Sequence, residues 1–459
     1  MQVKKLLALG SISLGIFVPP FTLFYFLFML TQYVNYYKTG IFEVIWIPIS
    51  SLISFISFYT VLDRISSLYG RDKMYYIGSF LYLLSILFIM IFPNMSILIV
   101  LFFIMGISLS IIYSNALKLL HGLNIFNGQR NLITYNSLIF LSSIFFSFVV
   151  GGYFTNMGLE YPLSVLLLFS ILMIIFSTLS FNNYSFIKLH EELDVLGSFL
   201  YAAFLTLLIF FMMLLNIYPI YETLYFLIMS LIFFIIFIYI EKNVSNPIID
   251  PRSFKNNKKF LSLSISSFIT YLSIIPIFFI LPIYMEVVLK TQIFLVGLII
   301  SSFPFFALIS FLMMKYIIKN ENERIISMIG LILLAVSFVL ISLFIKSVYI
   351  PYFLILSGIG FGIYEYSNYI SFISISLREE NLSSTNTLET LKLTGTVLSI
   401  SLSSLLLSFY LNRNQYISYS GIFLIQNNPE IIQNSLNIIF IISAVMILIS
   451  LYFSSLLKR

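Results

Sequence analysis

The chain has 459 residues, 60% of them hydrophobic and only 9% charged, with a formal net charge of +6 and a mean hydropathy of +1.05. About a quarter of an ordinary soluble chain is charged, so no water-soluble fold could hide this much apolar side chain. Cysteine is absent, which excludes a disulfide framework, a thiolate nucleophile and any Cys-based metal site.

Apolar stretches of about 20 residues, divided by short polar punctuation, recur from end to end and read as membrane-spanning helices. Fourteen spans are expected, starting near Leu6, Phe42, Met74, Ser96, Leu132, Tyr161, Val195, Tyr221, Phe260, Ile293, Ile325, Ile350, Leu388 and Ser435. The fold class is therefore an all-α membrane protein. The first span follows Lys4 and Lys5 and runs to about Leu30, too long for a signal-peptide core and with no small-residue cleavage site after it, so it is read as retained. Pro19 and Pro20 inside it each lack an N–H and clash with the preceding turn, so they should disrupt the helix. The freed carbonyls, with Thr22 and Tyr25, would line a solute path, or the pair would only kink the helix.

Basic residues set the orientation. With the N-terminus inside, only Lys38, Lys290, Lys346 and Arg413 fall outside, Lys392 lies within a span, and the other lysines and arginines are cytoplasmic. The positive-inside rule then puts both termini in the cytoplasm of a cell (plasma) membrane protein. The positive net charge belongs to the membrane's inner face and implies no nucleic-acid partner. His121 and His190 are far apart and offer no metal pair, and Glu191, Glu192 and Asp194 read as a solvated loop ahead of the seventh span. No Gly-rich phosphate loop occurs, which excludes ATP-driven transport by this chain, and no clustered nucleophile or paired carboxylates suggest an enzyme. No cofactor is expected.

Two segments match at a constant offset of 252 residues: "MGISLSIIYSN" from Met105 lies over "SGIGFGIYEYS" from Ser357, pairing Gly106 with Gly358, and the same offset pairs Gly78 with Gly330. Spans 3 and 4 thus mate with spans 11 and 12 as parallel repeats about an axis along the membrane normal. The expected plan is 6+2+6: residues 1–187 as one six-helix bundle, 188–245 as two inserted linker helices and 246–459 as a second six-helix bundle.

Glu365, near the middle of the twelfth span, is the clearest intramembrane acid. Asn368 and Tyr369 stand at i+3 and i+4, with Gly362 and Gly358 at i−3 and i−7, on one helix face. Such a polar stripe should face a central cavity, because lipid would leave it unsatisfied. Under the repeat its mate is Tyr113, followed by Ser114 and Asn115. Either Glu365 takes up and releases a proton or pairs with a cationic substrate, or it is a structural acid that hydrogen-bonds a neighbouring helix.

With that plan, the chain resembles the major facilitator superfamily, specifically its 14-helix drug:proton antiporter branch. The resemblance rests on "LDVLGSFLY" with Asp194-x-x-Gly197, on "NPIIDPRSFKNNKKF" from Asn246, and on "LPIYMEVVLKTQIFLVGLIISSFP" from Leu281. In the loop between spans 2 and 3, "DRISSLYGRDK" keeps the family's Gly70 and Arg71, but Ser67 takes the family's Asp position and Asp63 stands four residues earlier. Phe102 occupies the family's arginine position in span 4, Ser147-Phe148 replaces its Gly-Pro in span 5, and span 1 carries no acid. The resemblance implies an ion-pair latch of Asp63, Arg71, Glu389 and Lys392, the alternative being a local Glu389–Lys392 pair at a helix start. It further implies a monomeric secondary active transporter working by alternating access, with a small-molecule substrate and protons as its partners in the lipid bilayer. The expected activity is multidrug efflux, the proton-coupled export of hydrophobic or cationic compounds. A facilitator or carrier of another small organic solute, and a non-transporting membrane sensor or scaffold, are the rival readings.

Overall fold

The computed structural model describes residues 2–123, 129–155, 157–158, 160–181, 195–244, 247, 254, 257–317, 323–346, 348–379, 383–413 and 429–456. Glu191, Glu192 and Asp194, His190, and most of the Asn246–Lys259 linker lie outside them. In chain order the helices of the first part are α1 (Gln2–Phe28), α2 (Leu30–Tyr37), α3 (Ile41–Val44), α4 (Trp46–Tyr69), α5 (Arg71–Ile91), α6 (Met95–Gly122), α7 (Gln129–Thr155) and α8 (Glu160–Ser180). There follow α9 (Val195–Leu214) and α10 (Ile220–Glu241). The last part holds α11 (Lys258–Ile274), α12 (Pro276–Val287), α13 (Ile293–Ile317), α14 (Glu323–Leu343), α15 (Ile350–Glu379), α16 (Ser383–Arg413) and α17 (Pro429–Ser455).

Thirteen helical stretches among the described residues are long and apolar enough to cross a membrane, with α3–α4 and α11–α12 each counting as one. The 30 residues of α15 are not among them. The polar run Tyr364-Glu365-Tyr366-Ser367-Asn368 dilutes its hydropathy, and that run is also what makes the helix functionally interesting.

Helix α1 corrects one expectation. It runs unbroken from Gln2 to Phe28 with Pro19 and Pro20 inside it. The adjacent prolines remove only two hydrogen bonds, and neighbouring helices brace the preceding turn: a Cβ at Gly15 would collide with the Tyr75 ring, and Tyr75 donates to the Ser11 carbonyl at 2.6 Å.

The packing repeats. Helix α4 packs on α6, α5 on α6 and α8, and α1 on α7 and α8; in the same pattern α13 packs on α15, α14 on α15 and α17, and α11 on α16 and α17. Glycine makes the closest approaches possible. A Cβ on Gly106 of α6 would overlap the Ser51 carbonyl of α4, and one on Gly358 of α15 would overlap the Phe303 carbonyl of α13. Ser51 and Phe303 are themselves separated by the 252-residue offset seen in the sequence. Between the two sets, α7 packs on α13 and α4 on α16, while α9 and α10 pair with each other and reach the rest through α4 and α16. The α10 surface is mostly apolar and uncovered (Ile235 67%, Tyr239 70% exposed), as a lipid-facing helix requires.

Gly358→Val should wedge α15 off α13 and destabilise the fold by about 1–3 kcal/mol, seen as a lower thermal midpoint in detergent. Gly10→Ala, where the nearest atom to the added Cβ is 3.5 Å away, should leave the midpoint unchanged or slightly raised.

Candidate functional site

Between the two sets of helices lies a cavity of about 1090 Å³, counting the open solvent that adjoins it, walled by α1, α4, α6, α7, α11, α12, α13, α15 and α16. Most of its wall is aromatic and aliphatic. Phe278 stacks on Phe148 with centroids 5.4 Å apart and meets Phe303 edge-on at 5.2 Å. In so apolar an enclosure each charge interacts much more strongly than it would in water.

The charged residues of the wall are Glu365, Glu389 and Lys392. Lys392 Nζ donates to Glu365 Oε1 at 2.8 Å, and the Tyr271 hydroxyl donates to the same oxygen at 2.8 Å. Glu365 is 3% and Lys392 2% exposed, so this is a buried pair whose partners compensate each other's desolvation. The ammonium also lies 3.8 Å from the centroid of the Tyr369 ring and 5.3 Å from that of Tyr271, a cation–π arrangement on two sides. Tyr369 in turn donates its hydroxyl to Glu389 Oε1 at 2.8 Å. Glu365 Oε2 has no partner among the described residues. From α7, Asn136 Oδ1 and Ser137 Oγ are likewise buried without a partner and line the same cavity.

Other expected site residues lie elsewhere. The stripe on α15 does not act as one face: Glu365 and Tyr369 reach the cavity, Gly358 and Gly362 press against α13, and Asn368 donates to Ser267 Oγ of α11 at 2.6 Å. Tyr113 lines the cavity beside Phe55 and Tyr59, whereas Asn115 ties α6 to α4 by donating to Ser66 Oγ at 2.9 Å. Pro20 lines the cavity and Pro19 does not. Thr22 shares a 2.7 Å hydrogen bond with Tyr82 of α5, and Tyr25 is buried against Phe21, its hydroxyl without a partner among the described residues. The four residues of the expected latch fall into two groups. Arg71 Nη1 donates to Asp63 Oδ1 at 2.9 Å, and Lys118 of α6 holds the other carboxylate oxygen. Lys392 has turned instead to Glu365, 27 residues away in sequence. A pairing set by which helices adjoin, not by spacing along one helix, leaves no signal in the sequence.

The sequence matches the family described as Major Facilitator Superfamily over residues 12–389. The chain belongs to the major facilitator superfamily. No curated protein matches it. Among solved structures, a bacterial homolog of the human lysosomal transporter Spinster, inward-facing and unoccupied, is similar with a TM-score of 0.68 at 10% identity, covering 100% of this chain and 97% of that one. The human organic anion transporter MFSD10 (TETRAN) is similar with a TM-score of 0.62 at 12% identity, covering 98% and 99% respectively. At such identities the likeness is one of fold.

In this major facilitator protein, hydrogen bonds join the two sets of helices on both sides of the cavity. Beyond the end of α1, Thr31 Oγ1 donates to Glu286 Oε2 at 2.5 Å and Gln32 Nε2 to Glu286 Oε1 at 2.8 Å. Near the start of α7, Arg130 Nη2 donates to the Tyr366 hydroxyl at 2.6 Å. Sequence reading gave no site role to Glu286, Arg130, Lys118, Asn136 or Ser137. The polar Asn136-Ser137 step inside the apolar run "LITYNSLIFL" was the one available signal.

Asp63→Asn should leave Arg71 and Lys118 facing each other around a neutral amide and lower stability by about 3 kcal/mol or more, read as a reduced melting midpoint. Glu286→Ala should expose position 32: in the naturally Cys-free chain, a Gln32→Cys thiol should react with a membrane-impermeant maleimide several-fold faster in the Glu286→Ala background.

Proposed function

We propose that this protein is a proton-coupled secondary active transporter that exports hydrophobic monocations by alternating access. Its plan is taken as fourteen spans, with α15 crossing the membrane, in a 6+2+6 arrangement with both termini in the cytoplasm of the plasma membrane. The observation that carries the reading is the charge count of the cavity wall. Two carboxylates, Glu365 and Glu389, face one ammonium, Lys392, in an aromatic enclosure. With all three ionised the wall bears one net negative charge, and a low-dielectric cavity strongly favours matching it. One proton does so, and one monocation does so. Both together overshoot, and mutual exclusion at one site is what antiport requires.

Glu365, with an oxygen free of partners, is the proton-exchanging group in this reading. The aromatic wall takes the substrate's apolar body, while Asn136 Oδ1 and Ser137 Oγ receive donors from its polar edge. The hydrogen bonds of Glu286 with Thr31 and Gln32 and of Arg130 with Tyr366 are the closures that break alternately as the helix sets rock. The ammonium of Lys392 on the cavity wall favours a second reading, carriage of an organic anion, the solute class named for the human structural relative.

The test is the purified protein in liposomes holding an internal pH dye, with lipophilic cations and, in parallel, organic anions added under an imposed proton gradient. The proposal expects cation-driven proton movement that falls at least about tenfold in Glu365→Gln. Proton movement driven only by anions would replace it with the second reading. Cation-driven movement untouched by the substitution would make Glu365 structural.

A further inference from the structure

The seat of the Lys392 ammonium has the chemistry of a ligand site. A carboxylate oxygen stands at 2.8 Å, one tyrosine ring at 3.8 Å and a second at 5.3 Å, and the hydroxyl of that second ring holds the same carboxylate oxygen. Anion plus aromatic faces is the arrangement by which proteins recognise organic ammonium groups. Glu365, Tyr271 and Tyr369 all line the cavity, so a solute inside it has access to the seat.

Lys392 is not bound to this seat by necessity. Its charge hangs on a flexible four-carbon stem. Glu389 stands three residues earlier on α16, and its carboxylate accepts a hydrogen bond from Tyr369, the ring that the ammonium overlies. The ammonium thus has a second carboxylate within its surroundings. Glu365 Oε2, buried and without a partner among the described residues, shows that the seat's acceptor capacity is not used up by Lys392 and Tyr271.

We propose that Glu365, Tyr271 and Tyr369 form a binding subsite for an organic ammonium group, and that Lys392 is its tethered competitor. The solute's cation displaces the Lys392 ammonium, which moves to Glu389, and the departing solute is replaced by Lys392 again. No bond is made or broken; one ammonium exchanges for another on the same carboxylate. Glu365 is thereby kept from standing without a counter-charge when no solute is present. This inference rests on the cation reading of the proposed function.

The probe is benzyltrimethylammonium, a small permanent cation that partitions poorly into lipid, titrated calorimetrically into the full chain in lipid nanodiscs. Removing the competitor with Lys392→Met should tighten binding about tenfold or more, while Lys392→Arg, which keeps a charge in the seat, should not. Glu365→Gln/Lys392→Met, which removes both members of the pair and leaves Glu389 as the one charge of the wall, should lose the gain. In the otherwise unaltered chain, Tyr271→Leu should weaken binding about fivefold, which decides the matter if Lys392→Met proves unfolded by elution profile and melting.

A folded Lys392→Met that binds the cation no tighter than the unaltered protein overturns the competitor role. So does Tyr271→Leu without effect. If liposomes still show cation-driven proton movement lost in Glu365→Gln, only this inference falls and the proposed function stands. If no variant binds the cation and no cation moves protons, both fall together. Loss of organic-anion binding in Lys392→Met would make the lysine the solute's own partner and overturn the cage.

Discussion

A charge buried among apolar side chains has to be matched, and at the cavity wall the Glu365–Lys392 pair meets that requirement. The pair joins α15 to α16, and its geometry depends on contacts made by glycine elsewhere on both helices. Gly358 and Gly362 let α15 lie against the backbone of α13, and Gly360 and Gly330 let it lie against α14. On α16, Gly395 stands one turn from Lys392 and approaches the Phe268 carbonyl of α11, one turn from Tyr271. Close backbone approach is a main source of cohesion between helices in lipid, where apolar side chains gain little from leaving an apolar solvent. Here it also sets the distances at which an acid, a base and two tyrosines converge.

That convergence lies in a wall that is otherwise nearly all hydrocarbon and aromatic. In the proposed function that contrast is the source of selectivity. Aromatic surface accepts many shapes, and apolar walls discriminate weakly by size, whereas a small set of charges in low dielectric discriminates sharply by charge. Asn136 and Ser137, contributed by the other set of helices, make the polar part of the site two-sided. In the proposed alternating-access cycle, a solute held between α7 and α15 touches elements that separate, which would couple occupancy to the positions of the two sets of helices.

The departures from the family pattern in the loop between α4 and α5 acquire a physical account. Ser67 stands where the family has an acid, but Asp63, one turn deeper, supplies a carboxylate that Arg71 and Lys118 both hold. The cluster binds α4, α5 and α6 within a single set of helices. The contacts between the two sets of helices include Arg130 with Tyr366, so bracing within one set and contact between the sets fall to different residues.

Much of this was legible in the chain itself. Hydropathy alone dictated a polytopic helical protein, because apolar runs of span length have no other stable home, and the 252-residue offset located pairs such as Gly106 and Gly358 that occupy equivalent contacts. Glu365 announced itself by being an acid in the middle of such a run. What the chain could not disclose is which side chains on separate helices meet. Helical periodicity tells which residues share a face, not which neighbour that face touches. It therefore grouped Asn368 with Glu365, though both bond α11 and only Glu365 also reaches α16 and the cavity, and the family resemblance joined Lys392 to Asp63. Only the packed bundle decided that Lys392 turns to Glu365, that Asn115 binds α4, and that Asn136 and Ser137 open onto the cavity, because these depend on the rotation and depth of each helix against the others, fixed by contacts far apart in sequence.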